Sequence, residues 1–367
     1  MGTGANIYIP ETDDAITAAE LNEASKQMKK GGYDFPIVCL GLLMSTIGSV
    51  VLLLMNVILF SNFPSRLCLS LLTAIPKAGN LRSSDNYRGI QMQPLLANLY
   101  DRIICNRLLR WAKINDEQTA FQKGKGTTDQ IFLLRIIISL IKATKPNTPL
   151  YIGFFDLSKA FDRVSRYLLL KQLVKLGIGG VIFYTLKSTY AVTRCVLRGF
   201  GKLSEVFQTY TGIKQGASSS VILFILFLDD IIDYLRNNCL IEPVLNDLHC
   251  LLHADDTLII STNRTNFIHK CNLLVDILRE KKMLLNYKKS GFMIINGNKN
   301  DLKCTISLKS GWLKYKKEQK YLGAIFSDTG VLKYDVSLFL AKKKKEVNGK
   351  FPEQKQTSPI MRKTKSG

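Results

Sequence analysis

Two adjacent carboxylates, Asp255 and Asp256, interrupt the otherwise apolar run LLHADDTLII at residues 251–260. The flanking Leu and Ile residues are typical of a buried strand, where an unpartnered ionised carboxylate costs on the order of several kcal/mol. Side chains alternate across a straight strand, so the two acids share one rim only if a tight hairpin turn presents them. The pattern predicts either a cation-binding hairpin tip or an ordinary solvated turn that uses Asp as a turn former.

A third carboxylate, Asp156, ends another short apolar run, YIGFFD, at residues 151–156. Asp162 follows within a predicted helix and can pair with Lys159 or Arg166 at helical spacing, so we expect Asp162 to be structural. Asp156 has no such local partner. It is therefore a second place where an acid ends a buried strand.

The chain of 367 residues has 51 Lys and Arg against 29 Asp and Glu, a formal net charge of +22. This surplus favours a polyanionic partner, nucleic acid ahead of an anionic membrane surface. Lys77, Arg82 and Arg88 lie in the segment AIPKAGNLRSSDNYRGI, which is predicted as a strand, a loop and a second strand. Such a basic loop suits phosphate binding, and a solvated basic hairpin is the alternative.

Eight cysteines are scattered along the chain without any CxxC pair. This spacing supports neither a zinc ribbon nor a disulfide framework, and we expect reduced, intracellular thiols with no disulfide partner. His249, Cys250 and His253 lie close together. On a strand, however, Cys250 faces away from the two histidines, so a zinc site there is disfavoured.

Helical periodicity and punctuation by Gly and Pro predict the main elements. The N-terminal part is predicted to hold a helix over Ala15–Lys30 capped by Thr12 or Asp14. Further helices are predicted at 97–113, 130–142, 158–177 and 263–282, with a strongly apolar helix after the small-residue segment GIKQGASSS.

Residues 36–60 form a run of 25 residues without a charge, PIVCLGLLMSTIGSVVLLLMNVILF. A bilayer crossing needs about 20 apolar residues, so hydropathy alone predicts a transmembrane helix. Gly41 and Gly48 interrupt the run, and polar Ser45 and Ser49 also suit one or two helices buried in a soluble domain. The run by itself leaves both interpretations open.

Several motifs occur in a fixed order along the chain: FFDLSKAFD, GIKQGASSS, HADD, NYKKS and YLG, preceded by IPKAG, NYRGI and EQTAFQKGKGTTDQIF. Together they closely resemble the palm and fingers motifs of non-LTR (LINE-type) retrotransposon reverse transcriptases. The resemblance covers about residues 60–327 and extends more weakly over 15–60.

The resemblance implies an α+β right-hand polymerase fold, with a ferredoxin-like palm sheet backed by helices. The expected divisions are a helical lead-in at 1–60, fingers at 61–148, a palm at 149–327 and a basic tail or thumb remnant at 328–367. Within this frame residues 36–60 are expected to be buried lead-in helices. The thumb is expected to be largely missing, and no endonuclease or ribonuclease H segment is recognisable. This pattern is expected of a fragment of a longer open reading frame or of a decayed copy.

The implied activity is RNA-directed DNA synthesis from an RNA template, a DNA primer and deoxynucleoside triphosphates, with two Mg²⁺ ions that Mn²⁺ could replace. The motif matches assign metal binding to Asp156, Asp255 and Asp256, and proton donation to Lys289. They assign nucleotide contacts to Lys77, Arg88, Phe161, Gln215 and Gly216. We expect a location in the nucleus or cytoplasm, with membrane association as the alternative.

Some positions depart from the family pattern. His253 stands where the family has Tyr, Ser218 and Val221 stand where prolines are usual, Gly89 replaces a proline and Ala120 replaces a glycine. The three carboxylates are intact. The altered loop positions and the missing thumb nevertheless give an alternative function, a catalytically inactive remnant that only binds nucleic acid.

Overall fold

The computed structural model describes residues 8–334, except 78–79, 81, 84–85, 123, 200, 246–247 and 298–303. The N-terminal part contains three helices, α1 (Pro10–Asp13), α2 (Ala18–Gln27) and α3 (Ile37–Phe60). The predicted cap of the second helix is wrong. The Thr17 side chain accepts a hydrogen bond from the Glu20 backbone N–H, and Glu20 accepts one from the Thr17 backbone, because the sequence TAAE forms a capping box.

The uncharged run forms the single helix α3, kinked at Ile47, where φ is −133°. It is long and apolar enough to cross a membrane, and only 11% of its most apolar window is buried. Met55 and Ile58 lie in the core, whereas Leu53 and Val57 are 65% and 54% exposed. The expectation of buried helices is therefore wrong for the outward face of α3.

A five-stranded sheet follows, in which the predicted strand–loop–strand segment supplies the first two strands. Its strands are β1 (Leu69–Pro76), β2 (Tyr87–Met92), β4 (Thr193–Gly199), β5 (Lys202–Leu203) and β6 (Phe207–Thr209). β1 pairs antiparallel with β2 and parallel with β4. The sheet therefore combines two strands of the predicted fingers, β1 and β2, with three strands of the predicted palm, β4, β5 and β6.

The second sheet is antiparallel and carries the acidic motifs. Its strands are β3 (Leu150–Phe155), β7 (Cys250–His253), β8 (Asp256–Ser261) and β9 (Gly291–Ile295), in the order β7–β8–β3–β9. Every residue of β3 and β9 is buried. Such continuous apolar strands are explained by a sheet that is covered on both faces.

Alternate residues of β3 belong to two different cores. Tyr151 and Phe155 pack with helices α4 (Leu95–Trp111), α9 (Ser218–Leu228) and α11 (Arg264–Glu280). Ile152 and Phe154 pack with α5 (Thr127–Thr144) and with the small sheet of β12 (Glu318–Tyr321), β13 (Ala324–Ser327) and β14 (Leu332–Tyr334). The acidic strand ends are therefore held by a sheet with a helical layer on one side and a mixed layer on the other.

The remaining elements connect these layers. They are α6 (Ala160–Arg163), α7 (Arg166–Lys175), α8 (Gly180–Ala191), α10 (Asp230–Asn238), β10 (Thr305–Leu308) and β11 (Gly311–Lys314). The prediction of a single helix at 158–177 is wrong, because Ser165 caps a new helix by accepting a hydrogen bond from the Leu168 N–H. β14 lies within the predicted tail, and residues 335–367 of that tail lie outside the described residues.

Candidate active site

Asp255 and Asp256 lie at the tip of the hairpin that joins β7 and β8. His253 pairs with Asp256, so Ala254 and Asp255 form a two-residue turn. Neighbouring strand β3 runs in register with β8 up to the pair Phe155–Thr257, and one further residue brings Asp156 alongside Asp256. The predicted hairpin tip is confirmed, and tertiary pairing brings the acid that ends β3 to the same edge.

The conformation of this turn depends on a segment far away in sequence. Ala254 has a φ of +55°, a left-handed conformation that costs a non-glycine residue about 1 kcal/mol or more. The side-chain oxygen of Gln118 accepts a hydrogen bond from the Ala254 N–H at 3.2 Å. Thr119 N–H also donates to the Leu252 carbonyl at 3.0 Å. The segment beginning EQT thus supports the hairpin, a role that motif matching did not predict.

His253, one of the departures from the family pattern, has a specific partner in the same segment. Its Nδ1 lies 3.0 Å from the hydroxyl of Thr119. Burial lowers the pKa of His253, which favours the neutral imidazole at neutral pH. The ring therefore joins the hairpin to the Thr119 segment by a neutral hydrogen bond.

The three carboxylates lie within one another's electrostatic field. Burial, followed by repulsion from Asp255 and then Asp156, raises the pKa of Asp256 to about 6. Burial and repulsion from Asp156 also raise the pKa of Asp255, against the opposing effect of Lys289 and Arg88. Such mutual repulsion is relieved when a cation binds between the acids.

The donor set suits a hard cation, since all three candidate ligands are carboxylates. Within the described ranges no three His, Cys, Asp or Glu side chains already have the spacing of a complete metal site. Lys289 Nζ lies 3.6 Å from Asp156 Oδ2, and the Lys289 side chain is 69% exposed. The ammonium group therefore lies on the solvent side of the same acidic edge.

A cavity of about 540 Å³ opens beside this edge. Its walls include eight of the nine candidate residues, all except Asp256: Lys77, Arg88, Asp156, Phe161, Gln215, Gly216, Asp255 and Lys289. A second cavity of about the same volume lies against α3, but apolar side chains such as Leu42, Leu43 and Leu95 dominate its walls. Of these two cavities, only the one at the acidic edge is lined by both carboxylates and the side chains of Lys and Arg.

Phe161 packs against the core and also lines the cavity. Its ring stacks on Phe224, with centroids 4.7 Å apart and planes 15° apart, as a core residue does. It also lines the cavity next to Asp156. The ring is therefore rigidly supported from behind while it faces the cavity.

The loop containing Gln215 and Gly216 passes directly over β2. The Gln91 N–H donates to the Gln215 carbonyl at 2.7 Å. Gly216 has a φ of +119°, and a Cβ there would lie 2.7 Å from the Gln91 carbonyl oxygen. Only glycine allows this approach.

The contacts of Asp162 and Arg166 differ from the predicted helical pair. The Gln215 side chain donates to Asp162 at 2.7 Å. Arg166 instead donates to backbone carbonyls, including those of Gly212 and Thr209 at 2.9 and 2.6 Å. Asp162 thus contacts the Gln215 side chain, whereas Arg166 binds the preceding segment at residues 209–212. The break between α6 and α7 removes Asp162 and Arg166 from a common helix face.

Comparison with known proteins agrees with this arrangement. Residues 75–326 match the family described as "Reverse transcriptase (RNA-dependent DNA polymerase)". The chain is 26% identical over 291 residues to the Pol polyprotein of the type-2 retrotransposable element R2DM of Drosophila melanogaster. It is 28% identical over 221 residues to that of an R2 element of Popillia japonica. These matches cover 77% and 59% of the chain but 27% and 31% of the two relatives.

Solved structures share the fold at low sequence identity. Apo telomerase from Candida tropicalis, truncated from its C-terminal domain, matches with a TM-score of 0.52 at 14% identity, covering 74% of this chain and 56% of that one. The complex of this telomerase with a telomeric RNA fragment matches with a TM-score of 0.52 at 15% identity, covering 76% and 46%. The expected polymerase fold is confirmed. With the family match spanning most of its length, the chain belongs to the reverse transcriptase family, and its domain is of the non-LTR retrotransposon kind.

Proposed function

We propose that this chain catalyses RNA-directed DNA synthesis, in which a primer 3′-hydroxyl attacks the α-phosphate of a deoxynucleoside triphosphate. The observation that carries the proposal is the single cavity where Asp156 and Asp255 face Lys77 and Arg88. A triphosphate needs cations along its length and metal-binding carboxylates at its α-phosphate. This cavity offers both.

Reverse transcriptases use divalent cations, and we propose that Asp156, Asp255 and Asp256 hold two Mg²⁺ ions, for which Mn²⁺ can substitute. When bound, the ions activate the 3′-hydroxyl and neutralise charge on the reacting phosphates. Lys289, exposed beside Asp156, is placed to give a proton to the leaving pyrophosphate.

The remaining cavity residues would select and orient the nucleotide. Lys77 and Arg88 bind the triphosphate oxygens, and Phe161, braced by Phe224, excludes a ribose 2′-hydroxyl. The Gln215–Gly216 loop lies beneath the base pair. In this scheme residues 61–148 act mainly as fingers and residues 149–327 as palm, and the basic surplus binds an RNA template and a DNA primer.

Primer extension on an RNA template with Mg²⁺ and deoxynucleotides tests this function. Asp255→Asn should reduce incorporation on the order of a hundredfold or more, because metal-ion stabilisation of the transition state is worth several kcal/mol. Asp116→Asn is the matched control, since that carboxylate is 96% exposed on the surface. Equal incorporation by wild type and Asp255→Asn would exclude the proposal. Salt-dependent binding of primer and template without incorporation would instead identify a nucleic-acid-binding remnant.

A further inference from the structure

The segment between α11 and β9 contacts Asp156 at three points. The Asn286 N–H donates to the Asp156 carbonyl at 2.8 Å, and the Asp156 N–H donates to the Ser290 hydroxyl at 3.1 Å. The Asn286 side-chain amide donates to Asp156 Oδ2 at 3.1 Å. Backbone and carboxylate of Asp156 are thus both held by the segment containing NYKKS.

These contacts make the two carboxylate oxygens of Asp156 different from each other. Oδ2 accepts from Asn286, and Lys289 Nζ lies 3.6 Å from the same oxygen. Oδ1 has no hydrogen-bond partner within the described ranges. A planar amide that occupies one oxygen restricts rotation of the carboxylate, so the other oxygen keeps a defined direction.

The segment that supplies these donors is itself braced. The N–H groups of Lys289 and Ser290 both donate to the Asn286 carbonyl, at 3.0 and 2.8 Å. Lys316 Nζ donates to the Lys289 carbonyl at 2.7 Å and to the Gln319 side chain at 2.8 Å. Ser290 is 1% exposed. Asn286 therefore projects from a rigid turn rather than from a loose loop.

We infer that Asn286 is a positioning residue, which holds Oδ2 of Asp156 so that Oδ1 is directed to a divalent cation. This inference rests on the proposed function, and it assigns to Asn286 a role separate from proton donation by Lys289. Groups that orient a metal ligand contribute about 10- to 100-fold to metal affinity or activity.

Mn²⁺ binding to the protein without nucleic acid, followed by electron paramagnetic resonance, tests the inference. Asn286→Leu, which removes the donor at similar volume, should weaken Mn²⁺ binding about tenfold. Asn22→Leu makes the same change at an exposed position of α2 and should leave binding unchanged. Should Asn286→Leu lose its circular dichroism spectrum, Asn286→Ala removes the same donor without adding apolar volume.

Asp156→Asn separates this inference from the proposed function. If Asp156→Asn abolishes Mn²⁺ binding while a folded Asn286 variant binds as wild type does, Asn286 has no positioning role and the metal site stands. If wild type binds no Mn²⁺, or Asp156→Asn has no effect, the proposed metal site fails and the inference with it. In primer extension, Asn286→Leu should raise the half-saturating Mg²⁺ concentration about tenfold and approach the wild-type rate at saturation. A rate lowered equally at every Mg²⁺ concentration contradicts the inference.

Discussion

The hydroxyl of Tyr321 donates a hydrogen bond to the side-chain oxygen of Gln130 at 2.5 Å inside the core. The same Gln130 donates through its nitrogen to the Leu252 carbonyl at 2.6 Å, on the strand that leads to the acidic turn. The YLG motif, helix α5 and the candidate catalytic hairpin are thus connected by one buried chain of hydrogen bonds.

Removing the hydroxyl of Tyr321 should destabilise the protein. In Tyr321→Phe the Gln130 oxygen stays buried without its donor, and we expect the free energy of unfolding to fall by about 1–3 kcal/mol. Tyr167→Phe removes a hydroxyl from a side chain that is 63% exposed and should change stability by less than about 0.5 kcal/mol. Urea unfolding of both variants gives the comparison. Equal effects would show that the buried bond contributes nothing specific.

The raised pKa of Asp256 predicts a pH-dependent stability of the metal-free protein. The folded state takes up a proton near pH 6 and the unfolded state near pH 3.8. Between these values the folded state binds more protons, so stability should fall as pH rises through this window. Asp256→Asn should reduce this dependence, and the part due to the raised pKa values of Asp255 and Asp229 should remain. The substitution should also stabilise the protein at pH 7.5 by about 1 kcal/mol after solvent screening.

Thermal unfolding in a chelator, measured from pH 4 to pH 8, tests this expectation for Asp256. Glu205→Gln, at an exposed carboxylate, is the control and should follow the wild-type profile. Wild-type and Asp256→Asn profiles that stay parallel between pH 4 and 6.5 would contradict the raised pKa of Asp256.

The buried ion pair between Lys270 and Glu242 should be costly to break. Their side chains are 0% and 8% exposed and lie 2.8 Å apart. Glu242→Gln leaves the ammonium buried without its counter-charge, and we expect a loss of about 3–5 kcal/mol in the free energy of unfolding. In the exposed pair Lys333–Glu318, Glu318→Gln should cost less than about 1 kcal/mol. Similar losses in guanidinium unfolding would show that burial does not decide the energy.

Gly216→Ala should impair both nucleotide binding and folding. A side chain at φ +119° is strained, and its Cβ would meet the Gln91 carbonyl at 2.7 Å, so the Gln215 loop must move away from β2. We expect the KM for deoxynucleotide to rise about tenfold or more, with a stability loss of about 1–3 kcal/mol. Gly199→Ala is the matched control, since a Cβ there meets nothing within 4 Å. An unchanged KM would show that the loop tolerates displacement.

The outward face of α3 should tolerate polar substitution. Leu53 and Val57 are 65% and 54% exposed, so the double change to Gln should alter the free energy of unfolding by less than about 1 kcal/mol while reducing self-association. Met55 is fully buried on the opposite face. Met55→Gln should lower the free energy of unfolding by about 3 kcal/mol or more. Chemical unfolding and sedimentation measure the two effects. A large loss for the outward pair would mean that this face is packed in solution.

Local sequence determined much of the site. The strand ending at Asp156, the hairpin at Asp255 and Asp256, and the small-residue segment around Gly216 can each be recognised from a pattern within about ten positions, where strand periodicity and turn chemistry act directly. For this reason the strand–turn–strand pattern around the acids could be predicted, and the motif order was sufficient to identify the family.

Tertiary structure alone decided how these pieces are supported. Gln118 reaches Ala254 across 136 residues of sequence, and Asn286 reaches Asp156 across 130, so no periodicity could reveal either contact. The same limit applies to α3, whose composition is apolar on every side, so that only its packing against the fold separates buried Met55 from exposed Leu53. Short-range preferences specify strands, turns and caps, whereas the register between distant segments depends on how the whole core is filled.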